Sequence, residues 1–262
     1  MGRATYRNKW DIYSRGYEKK AMRILIPVFD EWGNSISWEN LTETNYEAQV
    51  NLSVSNQLMS DAYMRIYRET GSVHGSRVGK YINTQLKNFT LSNFTTLFEK
   101  EIRAFFVRYG IERVVTVTET YKQSIVDLLK TRIEDGLTIV EAAKEVQKIV
   151  GEKRFYRWQA LRIARTETTA SANFGAVQAG DVSGFVMEKE WISALDERTR
   201  TSPFNHRQMN GKRVGLNDKF NVSGEELAYP GDPKASAGNV INCRCSVAVV
   251  PARDSNGDLI PK

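Results

Sequence analysis

The 262-residue sequence predicts an α+β protein: a helical N-terminal arm followed by a small mixed domain of a helix packed on short β-strands. Two observations carry that expectation. Apolar side chains recur at spacings of three and four from the first aromatic residues to about Ala172, and beyond Gly180 this period gives way to alternation and to turn dipeptides. A hydrophobic content of 41% with only six prolines fits a packed chain better than a disordered one.

Trp10, Tyr13 and Tyr17 predict one face of a short helix that needs cover, with Trp32 and Trp38 close behind. Thr42 to Glu69 reads as a long helix with a thin apolar stripe of Tyr46, Val50, Leu58 and Met64. Gly71, Gly75 and Gly79, with His74 and Arg77 among them, read as a flexible joint. A broad face of Phe94, Leu97, Phe98, Ile102, Phe105 and Phe106 predicts a helix from Ser92 to Tyr109. Thr120 with Gln123, and Thr138 with Glu141, read as capping boxes opening two further helices that close at Gly136 and Gly151. Helical spacing resumes through Phe155, Trp158, Leu161 and Ala164.

Thereafter Phe185, Met187, Lys189 and Trp191 alternate as a strand, and Asn210-Gly211 reads as a hairpin turn. Residues 229–233 form a stiff turn, and Ile241 to Val250 reads as another strand. The expected divisions are a helical arm over 1–115, a helical connector over 116–154, the α+β domain over 155–252 and a frayed tail over 253–262. The C-terminal domain is expected to fold by itself.

The apolar run at 24–29 is too short for a secretory segment, and no run reaches bilayer length, so the expectation is a cytoplasmic protein without membrane contact. The net charge of +6 is uneven: residues 1–30 carry seven basic and three acidic groups, residues 31–60 none and four. Such a chain tolerates a polyanion but lacks the dense basic stripe of a dedicated nucleic-acid reader.

Both cysteines lie in Cys243-Arg244-Cys245, which excludes a disulfide framework. On a strand this spacing turns both thiols to one face and Arg244 to the other. His206 is a candidate third zinc ligand and Asp196 a fourth; thiols that pack without metal, and a catalytic cysteine, are the alternatives. Arg165 and Glu167, on a helix of small residues, are expected to organise the loops at 196–206 and 229–245. In the alternating stretch Asp196 to Arg200, Arg198 is expected to pair internally, with Asp196, Asp232 or Glu167 as acceptors, and Arg200 to contact DNA or a protein partner. Asn242 and Arg244 complete the expected polar core.

Read together, Arg162-Ile163-Ala164-Arg165-Thr166-Glu167, then Trp191 with Asp196, Arg198 and Arg200, then His206, Asn210-Gly211, Phe220, Leu227 to Pro233 and Ile241-Asn242-Cys243-Arg244-Cys245 resemble the phage Mu F-like family of minor head, or head morphogenesis, proteins over residues 155–250. The resemblance implies a structural protein present in few copies in the virion, assembled in the host cytoplasm. It would act beside the portal and other head proteins in head assembly and DNA packaging or delivery, with weak non-specific binding of double-stranded DNA. It implies no catalysis. The rival reading is an ADP-ribosyltransferase-like enzyme, for which Arg165 and Glu167 would have to converge on one substrate.

Overall fold

The computed structural model describes residues 2–86 and 94–262. Its first element, α1 (Arg3–Ser35), continues through Pro27 and is far longer than the short aromatic helix expected. An interior proline costs about 3 kcal/mol through its missing N–H and its clash with the preceding turn. Around it Ile24, Leu25, Val28, Phe29 and Trp32 are all buried, and each contributes roughly 1.5–3 kcal/mol of apolar burial, so packing outweighs the kink. The buried positions Trp10, Ser14, Tyr17, Ala21, Ile24, Val28 and Trp32 form one stripe along a rod of about 50 Å.

The long helix expected from Thr42 to Glu69 is broken. A short 3-10 turn (Trp38–Asn40) leads into α2 (Tyr46–Ser53), and α3 (Asn56–Tyr67) restarts where the Ser55 hydroxyl accepts the Gln57 N–H. Apolar spacing alone conceals this cap. A π-turn (Arg68–Ser72) then passes directly into α4 (Val73–Leu86). The glycines read as a flexible joint are thus helical, and Gly71, Gly75 and Gly79 are buried. They are small because a neighbour comes close: a Cβ on Gly175 would lie 2.2 Å from the Gly71 carbonyl oxygen.

Next come α5 (Phe94–Phe105), a π-turn (Phe106–Gly110) and α6 (Ile111–Glu134). The expected helix start at Ser92 lies outside the described residues. Thr120 opens no helix; it sits inside α6 with its hydroxyl on the Thr116 carbonyl. The second capping box is present, Thr138 and Glu141 bonding reciprocally at the start of α7 (Ile139–Gly151). α8 (Lys153–Asp181) follows. Its buried face begins with Tyr156, Ala160, Ile163 and Ala164, whereas Trp158 is 80% exposed, so the face read through Trp158 is rotated.

The strands form a three-stranded antiparallel sheet in the order β2 (Arg213–Gly215), β1 (Met187–Ile192), β5 (Ser246–Pro251), with Lys189 opposite both Val214 and Val249. A separate hairpin pairs β3 (Phe220–Val222) with β4 (Glu225–Leu227). Its tight turn is Ser223-Gly224, both at positive φ, and not the expected Asn210-Gly211. Gly211 instead returns a long loop to the sheet, its N–H on the Trp191 carbonyl. One-turn α9 (Ala237–Val240) precedes the cysteines.

Residues 253–262 are pinned, which corrects the frayed tail. Ile260 accepts the Val186 N–H, the Lys262 N–H reaches Gly184, and Lys262 Nζ pairs with Asp181 at 2.9 Å. The start of α1 lies across the sheet domain: Tyr6 Oη donates to the Val247 carbonyl at 2.7 Å, Arg7 Nε to that of Ser193 at 2.8 Å, and Trp10 Nε1 to that of Arg244 at 2.8 Å. Its other end packs Phe29 flat on Tyr156, with ring centroids 5.2 Å apart.

The close approach of α8 to the Gly71 turn makes a paired prediction. Gly175→Ala should destabilise by about 3 kcal/mol or more, since the contact is with backbone that cannot give. Gly16→Ala, on the exposed side of α1 with nothing within 4 Å, should stabilise by up to about 1 kcal/mol. Chemical denaturation measures both; equal effects would contradict the close approach.

Candidate metal centre and its polar scaffold

Cys243 and Cys245 do not lie in a strand; they flank Arg244 in the extended lead-in to β5. The alternation still turns both thiols to one side. Each Sγ lies 3.6 Å from His206 Nδ1, and all three residues are buried. His206 Nε2 meets the Oδ1 of buried Asn239 at 2.6 Å, and Asn239 Nδ2 donates to Glu225 Oε2 at 3.1 Å. Because the amide must donate to the carboxylate, its oxygen faces the imidazole, which places the histidine proton on Nε2. The Nδ1 lone pair is thereby aimed at the sulfurs. The interaction of the two thiols, with burial beside it, pushes Cys243 up, and the same interaction, joined by His206, pushes Cys245 down.

Among the described residues, His206, Cys243 and Cys245 form the one group of three or more His, Cys, Asp or Glu spaced to hold a metal. Asp196, expected as a fourth ligand, is elsewhere. Its carboxylate is held bidentately by Arg244, Oδ2 to Nη1 at 2.5 Å and Oδ1 to Nη2 at 2.7 Å, and accepts the Arg198 N–H and the Thr199 hydroxyl. Partial burial pushes this carboxyl up, but Arg244 and these donors outweigh it and hold it below its ordinary range.

Internal bonding falls to the side chain of Arg200 and not to that of Arg198. Arg198 is exposed, and only its backbone N–H bonds to Asp196. Arg200 turns inward and donates to the carbonyls of Asn239 and Ile241, clamping the loop that carries the cysteines. Among the described residues Asp232 pairs with no arginine. It closes its own turn by accepting the N–H groups of Ala228 at 2.8 Å and Lys234 at 3.0 Å.

Arg165 and Glu167, two apart on α8, face different neighbours. Arg165 reaches Glu18 of α1 at 3.3 Å and the Oδ1 of Asn242, a residue held at φ 59°, at 3.4 Å. Glu167 is buried against the helices instead of the loops, where Arg113 Nη1 bonds both its oxygens at 2.9 and 3.0 Å and Tyr67 Oη donates at 2.9 Å. The expected loop clamp is therefore made by Arg165 alone.

Several organising residues escaped the sequence reading. Asn173, fully buried on α8, donates to the carbonyls of Pro230 and Cys245 and accepts from the Ser246 hydroxyl and the Val247 N–H. Thr169 Oγ1 donates to the Cys243 carbonyl at 2.7 Å, and the Thr166 hydroxyl accepts the Asn242 N–H at 3.0 Å. An asparagine amid a helix, where its side chain competes with the backbone, is the one such signal the sequence offered. Arg113, Asn239 and Glu18 offered none.

Removing one member of a buried ion pair strands the other, which costs about 3–5 kcal/mol, whereas replacing both is far milder. Arg113→Met should destabilise by that amount. Adding Glu167→Gln, which still accepts from Tyr67, should recover at least about 2 kcal/mol. A denaturation cycle in which the double variant is no more stable than the single would contradict the pairing.

Residues 123–248 match the family described as "Phage Mu protein F like protein". The matched span starts inside α6, earlier than the residue 155 at which the motif resemblance begins. Over 126 residues, 47% of this chain, the sequence is 26% identical to "Uncharacterized protein YqbB" of Bacillus subtilis (strain 168), and the alignment spans 40% of that protein's length. No solved structure matches the chain. No helix among the described residues is long and apolar enough to cross a membrane.

Proposed function

From the Phage Mu protein F like region that residues 123–248 make up, we propose that this chain is a minor structural protein of a tailed-phage head, acting beside the portal in head assembly and in DNA packaging or delivery. The family region carries the reading. The polar residues of its motifs support it, because they bond one another and the backbone: Arg244 holds Asp196, Arg200 holds the 239–241 carbonyls, and Asn173 holds the root of β5. An ADP-ribosyltransferase would bring Arg165 and Glu167 to one cleft, and here the first turns to Glu18 and the second to Arg113. Exposed arginines such as Arg198 suit weak, sequence-independent contact with duplex DNA.

Co-expression with the portal protein of the same genome tests the reading. The expected result is co-purification with the portal ring, in fewer copies than a shell protein, and duplex binding that falls steeply with salt and is alike for two unrelated sequences. Failure to associate with the portal would overturn the head role. A strong preference for one duplex would overturn the electrostatic one.

The His206, Cys243 and Cys245 donor set fits zinc. Zn–S and Zn–N bonds of about 2.3 and 2.0 Å in a tetrahedron separate sulfur from nitrogen by roughly 3.5 Å, and the two separations here are 3.6 Å. The tautomer fixed by Asn239 leaves Nδ1 free to ligate. Zinc would tie the loop before β5 to the loop carrying His206, with a fourth ligand from outside this trio. Elemental analysis of purified protein should find about one zinc per chain, lost in Cys245→Ser together with a fall in Tm. Zinc-free protein of unchanged stability under chelator would assign the trio to thiol–imidazole hydrogen bonding alone.

A further inference from the structure

We propose that two copies of this chain associate by seating the acidic face of α2 of one copy in the groove between α6 and α8 of the other. Among the described residues the two most exposed large apolar side chains mark the two surfaces: Leu52 on α2 is 81% exposed and Trp158 on α8 is 80% exposed. A single exposed apolar residue is ordinary on a protein surface. These two differ, because each stands in a field of one sign and the signs are opposite.

On the first surface, residues 31–60 carry four acidic groups and no basic one. The exposed residues of α2 are Glu47, Ala48, Asn51 and Leu52, which share the side of the helix turned away from buried Val50. Glu43, in the turn that leads into α2, and Glu47 are both exposed and in no ion pair among the described residues. The second surface is the reverse. From 153 to 166 the sequence holds five basic residues and no acidic one. Arg154, Trp158, Leu161, Arg162 and Arg165 recur at spacings of three and four, so they share one face of α8. Arg154 and Arg165 pair with Glu152 and Glu18, whereas exposed Arg157 and Arg162 are in no ion pair among the described residues. Trp158 borders a groove of about 380 Å³, walled by Phe155 and Leu161 of α8 and by Thr120 and Ser124 of α6, and no Asp or Glu lines it.

A leucine side chain fits a groove of that size, and with Leu52 beside Trp158 the carboxylates of Glu43 and Glu47 meet Arg157 and Arg162. Tryptophan and arginine are the side chains that most often carry binding energy between proteins. Within one chain the two surfaces do not serve each other, since both anchors are open to solvent. A DNA duplex would engage the arginines and leave Leu52 and the α2 carboxylates unused, so a second copy is the occupant that uses both surfaces. A contact built on two apolar anchors and four charges belongs with transient interfaces, and salt weakens it.

Sedimentation velocity of the full chain, from about 10 μM to about 1 mM, should show reversible self-association that falls as salt rises. Trp158→Ser or Leu52→Ser should weaken it at least about tenfold. Charge reversal tests the pairing itself. A chain with Glu43→Lys and Glu47→Lys, and a chain with Arg157→Glu and Arg162→Glu, should each stay monomeric alone, while an equimolar mixture of the two should associate again. All four positions are exposed, and recovery in the mixture shows that both variants are folded. Wild-type chain that stays monomeric throughout, or a mixture that does not recover, would overturn the assignment. Duplex DNA retained by a monomeric wild-type chain and lost with Arg157→Glu and Arg162→Glu would overturn it too, and give the α8 face to nucleic acid.

Discussion

From Thr166 to Ala176 every residue of α8 is buried, so this stretch has no solvent face on which to leave a polar group. It is packed by α1, α3 and α4 on the helical side and by β5 on the other. A helix in that position must be made of small residues, so that neighbours approach, and each polar side chain on it must find a partner, since an unmade buried hydrogen bond costs about 1–3 kcal/mol. Both demands are met. Gly175 touches the Gly71 turn, Ala170 and Ala172 add almost no bulk, and Thr166, Thr169 and Asn173 bond to the chain around the cysteines. The candidate metal centre owes its shape to this. Cys243 and Cys245 are held through their carbonyls by α8 before any metal is considered.

The other long-range restraint is α1. Its start bonds the backbone of the sheet domain at Val247, Ser193 and Arg244, while its end stacks against Tyr156 at the beginning of α8. One helix thus spans both ends of α8.

Much of this was legible in the residues, unevenly. The α+β class, the capping box at Thr138, the length of α8 and the convergence of His206 with both cysteines followed from periodicity, cap chemistry and alternation. The failures have definite causes. α1 was expected as a short helix because the aromatic spacing of Trp10, Tyr13 and Tyr17 marks only its first part, and the burial that carries it on through Pro27 is not local. Glycines at 71, 75 and 79 were read as freedom, when a missing Cβ equally permits contact, and only the position of α8 distinguishes the two. Asp196 was paired with the cysteines because sequence proximity to His206 carries no information about direction, and Arg244, pointing away from the thiols, was its partner. Arg113 and Glu167 are far apart in sequence, and nothing local joins them.

The central claim, that the arm and the family region share one core along α8, is open to native-state hydrogen exchange across the full chain. Amides of α1, α4, α8, β1 and β5 should exchange through one cooperative opening, with a common free energy equal to that of global unfolding. Opening of α1 and α4 at markedly lower free energy, while residues 153–251 stay protected, would show two separately stable units and contradict it.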